Sequence, residues 1–148
     1  MYKKSCFFIG NRYALNSIEE QLAKVIEQHI TEYGVSVFTV GRYGNFDSLV
    51  QRVLRKAKKR HTDIKLYLLA PYAFNQKIEI PNDFDGTIFP EGIEAVPKPY
   101  AIVYANRYMT ERSGYLISYC HNIAGNTQKI VEYAKRLEKR GLIKVTLL

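Results

Sequence analysis

Long apolar runs are missing from this sequence. No stretch approaches the roughly 20 residues that a membrane-spanning helix requires, so the bilayer is not an expected partner. The opening "MYKKSCFFIG" places lysines before apolar residues. Its apolar part is too short for a secretory signal, so a soluble, cytoplasmic protein is expected. Cysteine is scarce: Cys6 and Cys120 are the two in 148 residues. Each lies in an apolar, strand-like stretch without a CxxC partner, which argues against a zinc site or a disulfide framework and for buried thiols. The three histidines, His29, His61 and His121, do not stand at metal-ligand spacing, so no structural metal is expected. His29 and His61 read as helix-surface and loop residues. The chain lacks a Gly-x-Ser-x-Gly elbow, a G-x-G-x-x-G fingerprint and a phosphate loop ending in GK[ST]. Covalent nucleophilic catalysis, ATP hydrolysis and standard NAD redox chemistry are therefore disfavoured, and no cofactor is expected.

What is present describes a globular chain. A hydrophobic fraction of 47% and a charged fraction of 24% suit a single folded domain over 1–148. The net charge is +8, clumped in "RKAKKR" (55–60) and "KRLEKR" (135–140). Both clumps fall near predicted helix C-termini, where cations complement the helix dipole. A polyanion-binding face is the functional alternative.

Strand and helix patterns alternate. "SCFFIG" (5–10) reads as a buried strand. Ser17 and Glu20 have capping-box spacing ahead of an apolar face at Ile18, Leu22, Val25, Ile26 and Ile30. "VSVFTVG" (35–41) is strand-like, and "FDSLVQRVLRKAKKR" (46–60) is an amphipathic helix. "DIKLYLLAPY" (63–72) is a third strand. Residues 73–95 keep no period and read as an irregular excursion or flap. A helix follows over 98–112, then the strand "GYLISYC" (114–120), a helix over 125–141 and a closing strand "LIKVTLL". This order predicts an α/β fold: one Rossmann-like domain with a mostly parallel five-stranded sheet and helices on both faces.

Three predicted strand ends run into glycine-bearing turns: "IGNR" (9–12), "VGRYGNFD" (40–47) and "YCHNIAGNT" (119–127). Glycine admits sharp bends and close ligand approach. A following helix offers free N–H groups and a favourable dipole to an anion. Three such turns on one sheet edge point to a phosphate-bearing ligand. Arg12 is a candidate for pairing with a phosphate. Asp47 is placed to accept from a ribose hydroxyl or to cap the helix after it. Tyr43 and Phe46 are candidates to stack on a base. Asn106 is a candidate to point its amide at the pocket. His121, beside the third turn, is a candidate acid, base or phosphate ligand.

In their order and spacing, "FFIGNR", "VGRYGNFD", "LYLLAPY" and "ANRYMTERSGYLISY…GNT…EYAKRLEKRG" resemble the SLOG superfamily. These are Rossmann-like proteins related to the DNA-processing protein DprA and the Lonely Guy phosphoribohydrolases. The resemblance spans nearly the whole chain and is closest to small stand-alone members of unassigned function. It implies a nucleotide or nucleotide-derived ligand where the turns converge. Gly10, Asn11 and Arg12 match the first turn, where close relatives often carry histidine in place of Asn11. Gly41, Gly44 and Asp47 match the second, and Gly125, Asn126 and Thr127 the third. In the phosphoribohydrolases that third segment reads Gly-Gly-x-Gly-Thr-x-x-Glu. Here Gln128, Lys129 and Ile130 supply no carboxylate, and Glu132 is the nearest one.

Three functions follow as expectations. The first is a binding protein for a nucleotide-derived, possibly signalling, molecule. It would act as a sensor or a sequestering protein, for instance in bacterial or phage conflict. The second is an N-glycosidase of nucleoside monophosphates with Asp47 as its carboxylate. The third is a single-strand DNA-binding protein using the basic helices. Twelve tyrosines, with Tyr100, Tyr104 and Tyr108 every four residues and Tyr133 on the last helix, point to a homo-oligomer.

Overall fold

The computed structural model describes residues 2–11, 14–71, 80–121 and 125–148. Six strands form one sheet: β1 (Ser5–Gly10), β2 (Val37–Val40), β3 (Lys65–Leu69), β4 (Gly86–Ile88), β5 (Tyr115–Tyr119) and β6 (Lys144–Leu147). Their order is β4-β3-β2-β1-β5-β6, and every neighbouring pair is parallel. The expected five strands are therefore corrected to six. The extra strand is β4, in the stretch read as an excursion. It is three residues long, too short to show a period, and pairs with β3 from Tyr67↔Gly86 to Leu69↔Ile88.

The central strands read as nearly continuous apolar runs because helices cover both of their faces. Along β1, successive side chains enter opposite cores. Cys6 and Phe8 join Phe38, Val40, Leu66, Leu68 and Ile117 on one side. That side is covered by α1 (Glu19–Thr31) through Leu22 and Ile26, and by α2 (Asn45–Arg60) through Leu49, Val50, Val53, Leu54 and Ala57. Phe7 and Ile9 enter the other core with Leu69 and Leu116. There α3 (Ala101–Arg112) contributes Ala105 and Met109, and α4 (Asn126–Lys139) contributes Ile130, Ala134 and Leu137.

Two local expectations change. Ser17 does not cap α1: a short 3-10 turn over Asn16–Ile18 leads in, and Ile18 takes the cap position without a side-chain bond. His29 is fully buried rather than on the helix surface. It contacts Tyr33 and Tyr115 edge-on, and its Nδ1 lies 2.7 Å from the Val25 carbonyl. At the sheet's outer edge, the Val145 N–H points away from β5 and donates to the Glu138 carboxylate at 2.7 Å. No helix among the described residues is long and apolar enough to cross a membrane.

After β1 the chain turns to the face of α1 and α2; after β5 it turns to the face of α3 and α4. The carboxyl ends of β1 and β5 therefore diverge, with Gly10 beside Tyr119. Such a divergence opens the crevice where doubly wound sheets hold ligands.

Candidate functional site

A cleft of about 160 Å³ opens at this edge. Of the candidate residues, Gly10, Gly41, Tyr43, Asp47, Asn106, Asn126 and Thr127 line it, together with Leu69, Pro71, Ile102 and Ala105. Its volume lies below the roughly 300–1,000 Å³ of drug-sized ligand pockets.

Asp47 anchors the polar side. It is the third residue of α2 and Gly44, with φ of 94°, occupies the cap position. The carboxyl reaches back along the chain, and the Tyr43 N–H donates to Oδ2 at 3.0 Å. Asp47 thus acts near the helix start without being its N-cap. Gly41 is glycine for a packing reason: a Cβ there would meet Asp47 Oδ2 at 2.7 Å. One helical turn after Asp47, Gln51 Nε2 donates to the Gly41 carbonyl at 3.0 Å and braces the same turn. Sequence reading missed Gln51, although its i,i+4 relation to Asp47 places both on one helix face. Burial pushes the Asp47 carboxyl up to about 7, with the Tyr43 N–H pulling weakly the other way.

Phe46 corrects its expected role. It is 1% exposed and stacks on Tyr119 with centroids 6.3 Å apart. Its ring fills the space that a Gly10 side chain would take, since a Cβ there would come within 2.3 Å of it. Phe46 is a core residue that does not line the cleft, not a base-stacking lid. Tyr43, 40% exposed, remains at the cleft as the candidate aromatic.

The third turn is built differently. Gly125 has φ of 135° and caps α4, and a Cβ there would find nothing within 4 Å. Asn126 and Thr127 bring the first turn of α4 to the cleft. A helix start carries unpaired N–H groups and a positive dipole end.

Several candidates stand apart. Asn11 is buried. Its N–H donates to the Tyr119 carbonyl at 3.0 Å, its amide donates to the His121 carbonyl at 3.4 Å, and its Oδ1 has no partner among the described residues. His121 packs on Tyr119 at 4.5 Å with Nε2 2.6 Å from the Leu148 carbonyl. Neither lines the cleft, and neither do Gly44 or Gly125. Arg12 lies outside the described residues. Cys6 is buried, while Cys120 is only part-buried, against the expectation for both.

The basic clump on α2 is largely neutralised. Arg52 and Lys56 pair with Glu19, Arg55 with Asp83, Lys58 with Asp85, and Arg60 with Glu27. Among the described residues no three His, Cys, Asp or Glu side chains gather as a metal site.

The fold and cleft define an all-parallel α/β protein with a polar crevice at its topological switch point. Comparison with protein families gives no match, and neither does comparison with curated proteins.

Proposed function

We propose that this chain is a Rossmann-like domain of the SLOG type that binds a nucleotide or nucleotide-derived small molecule. The observation that carries the reading is one cleft that joins a desolvated carboxyl, Asp47, to the start of α4. The carboxyl suits ribose hydroxyls, and the helix start suits a phosphate. Asn106 supplies an amide, Tyr43 an aromatic face, and Leu69, Pro71 and Ile102 an apolar wall. Without turnover, such a protein serves as a cytoplasmic sensor or a sequestering protein, as in bacterial or phage conflict. Self-association is part of the proposal. It uses α4 and α3, whose cap residue Tyr100 is 65% exposed.

One observation favours a second reading. A carboxyl near pH 7 is matched to general acid–base work, as an N-glycosidase of nucleoside monophosphates requires. The DNA-binding reading loses support from the paired cations of α2.

The test is depletion and return. Stoichiometric protein is mixed with nucleoside monophosphates, ADP-ribose and its cyclic isomers, and cyclic di- and trinucleotides. It is then filtered out and heat-denatured, and both fractions are chromatographed. A compound that vanishes and returns intact supports binding. Base plus ribose phosphate supports the glycosidase. A panel left untouched refutes both.

A further inference from the structure

The three glycine turns are not equivalent. At the first, the space beside Gly10 is filled by the Phe46 ring, and the Asn11 N–H is engaged by the Tyr119 carbonyl. At the second, the space beside Gly41 is filled by the Asp47 carboxyl, which also takes the Tyr43 N–H. Both glycines serve contacts within the chain, and both backbone donors are already used. A phosphate seated against Asp47 would oppose ionisation of the carboxyl, because like charges at such range repel, whereas a hydroxyl donor favours it. Of Gly10, Gly41 and Gly125, the last alone leaves its side-chain space open to the described residues.

We propose that the Gly41–Asp47 corner receives the ligand's hydroxyl donors and excludes its phosphates, and that seating those donors expels a proton to solvent. This rests on the nucleotide-binding reading. Asp47 is enclosed by Gly10, Gly41 and Tyr43 on its own side and by Asn106, Asn126 and Thr127 from α3 and α4. Tyr43 is the one other titratable group among the described residues lining the cleft, and none of those residues is cationic. Among the described residues the part-buried Asp47 carboxyl accepts one hydrogen bond, from the Tyr43 N–H at Oδ2, which is little support for its charged form. A ligand diol donating to the carboxyl supplies what is missing. The protonated carboxyl then becomes a hydrogen-bonded carboxylate, and its proton passes to buffer.

The experiment is calorimetric titration of the wild-type protein with ADP-ribose, whose phosphates carry no proton near pH 6. Two buffers of different ionisation enthalpy count the protons released. The expected result is release of most of a proton near pH 6, fading to none near pH 8.5, with affinity rising as pH rises towards neutrality and then levelling. Asp47→Asn should bind at least about tenfold more weakly and release no proton. The wild-type buffer pair alone decides the matter if that variant does not fold. Binding without proton release overturns the inference and leaves nucleotide binding standing. No heat from ADP-ribose or from the rest of the depletion panel overturns both.

Discussion

Replacing Asp47 with asparagine should stabilise this protein, by an amount set by pH. Burial raises the carboxyl from 3.8 to about 7 in the folded state. Between those two values the fold holds a proton that the unfolded chain has already lost. Below 3.8 both states are protonated and there is no cost; above about 7 both are ionised and the full cost stands. That separation corresponds to about 4 kcal/mol at pH 8, falling to roughly 1–2 at pH 5 and to under about 1 at pH 4. Asparagine is nearly isosteric, offers an oxygen to the same Tyr43 N–H and cannot ionise. Urea unfolding of both proteins across this pH range should therefore show a large advantage for the variant at pH 8 that shrinks to under about 1 kcal/mol at pH 4. His29, Glu27 and Asp85 also titrate between folded and unfolded states, but they are common to both proteins and cancel in the difference. An advantage of equal size at both ends of the range would show that the carboxyl is not desolvated, and both proposals above would lose their support. A large advantage would mean that the cleft keeps a costly group for a purpose other than folding.

Gly10→Ala should cost about 1–3 kcal/mol or more in urea unfolding, because its methyl would drive into the Phe46 ring, and Phe46→Leu in the same chain should recover part of the loss. A fully stable Gly10→Ala protein would mean that Phe46 yields freely. Burial and the nearby Lys144 ammonium lower His29 from its usual 6.5, so the unfolded chain takes up a proton that the fold refuses. Its contribution is intact above about pH 6.5 and falls as pH drops below that. His29→Gln should remove this acid sensitivity, and an unchanged pH profile would contradict the assignment. Gel shifts with single-stranded DNA at low salt should show no binding through α2, whose cations already hold carboxylates; salt-sensitive binding lost on Lys59→Ala would revive that reading. Light scattering should show an oligomer that Tyr100→Ser weakens, and a clean monomer throughout would remove self-association from the proposal.

Much of the fold was legible because its elements carry strong local signals. The apolar run from Cys6 to Ile9 marks β1, and Leu49, Val53, Leu54 and Ala57 mark α2 at helical period. β4 was not legible. Gly86, Thr87 and Ile88 have no pattern of their own and are ordered by pairing with β3. The cleft was legible in position, since strand ends before glycine turns must gather at one edge of a parallel sheet. Its chemistry was less so. Glycine in a turn signals that space is needed there, but not for what. At Gly10 the space belongs to the ring of Phe46, far along the chain, and at Gly41 to the carboxyl of Asp47 in the same turn, and only the folded structure shows which group fills it. His29 failed for a related reason: a helical histidine whose one aromatic neighbour in the sequence is Tyr33 gives no hint that β5 will bring Tyr115 against it.

The contact between Glu138 and the Val145 N–H bears on how copies of this protein meet. An edge strand with free backbone donors is a template on which another chain can crystallise its own strand, and such growth ends in aggregates or fibrils. Here one rim has the outward Val145 donor held by a carboxylate, and the other rim is only three residues long. The sheet is thus poorly suited to extension by backbone pairing from neighbouring molecules. That leaves the proposed self-association to side-chain contacts between helices. Glu138→Ala should loosen that control, and it would appear first as turbidity in concentrated solution.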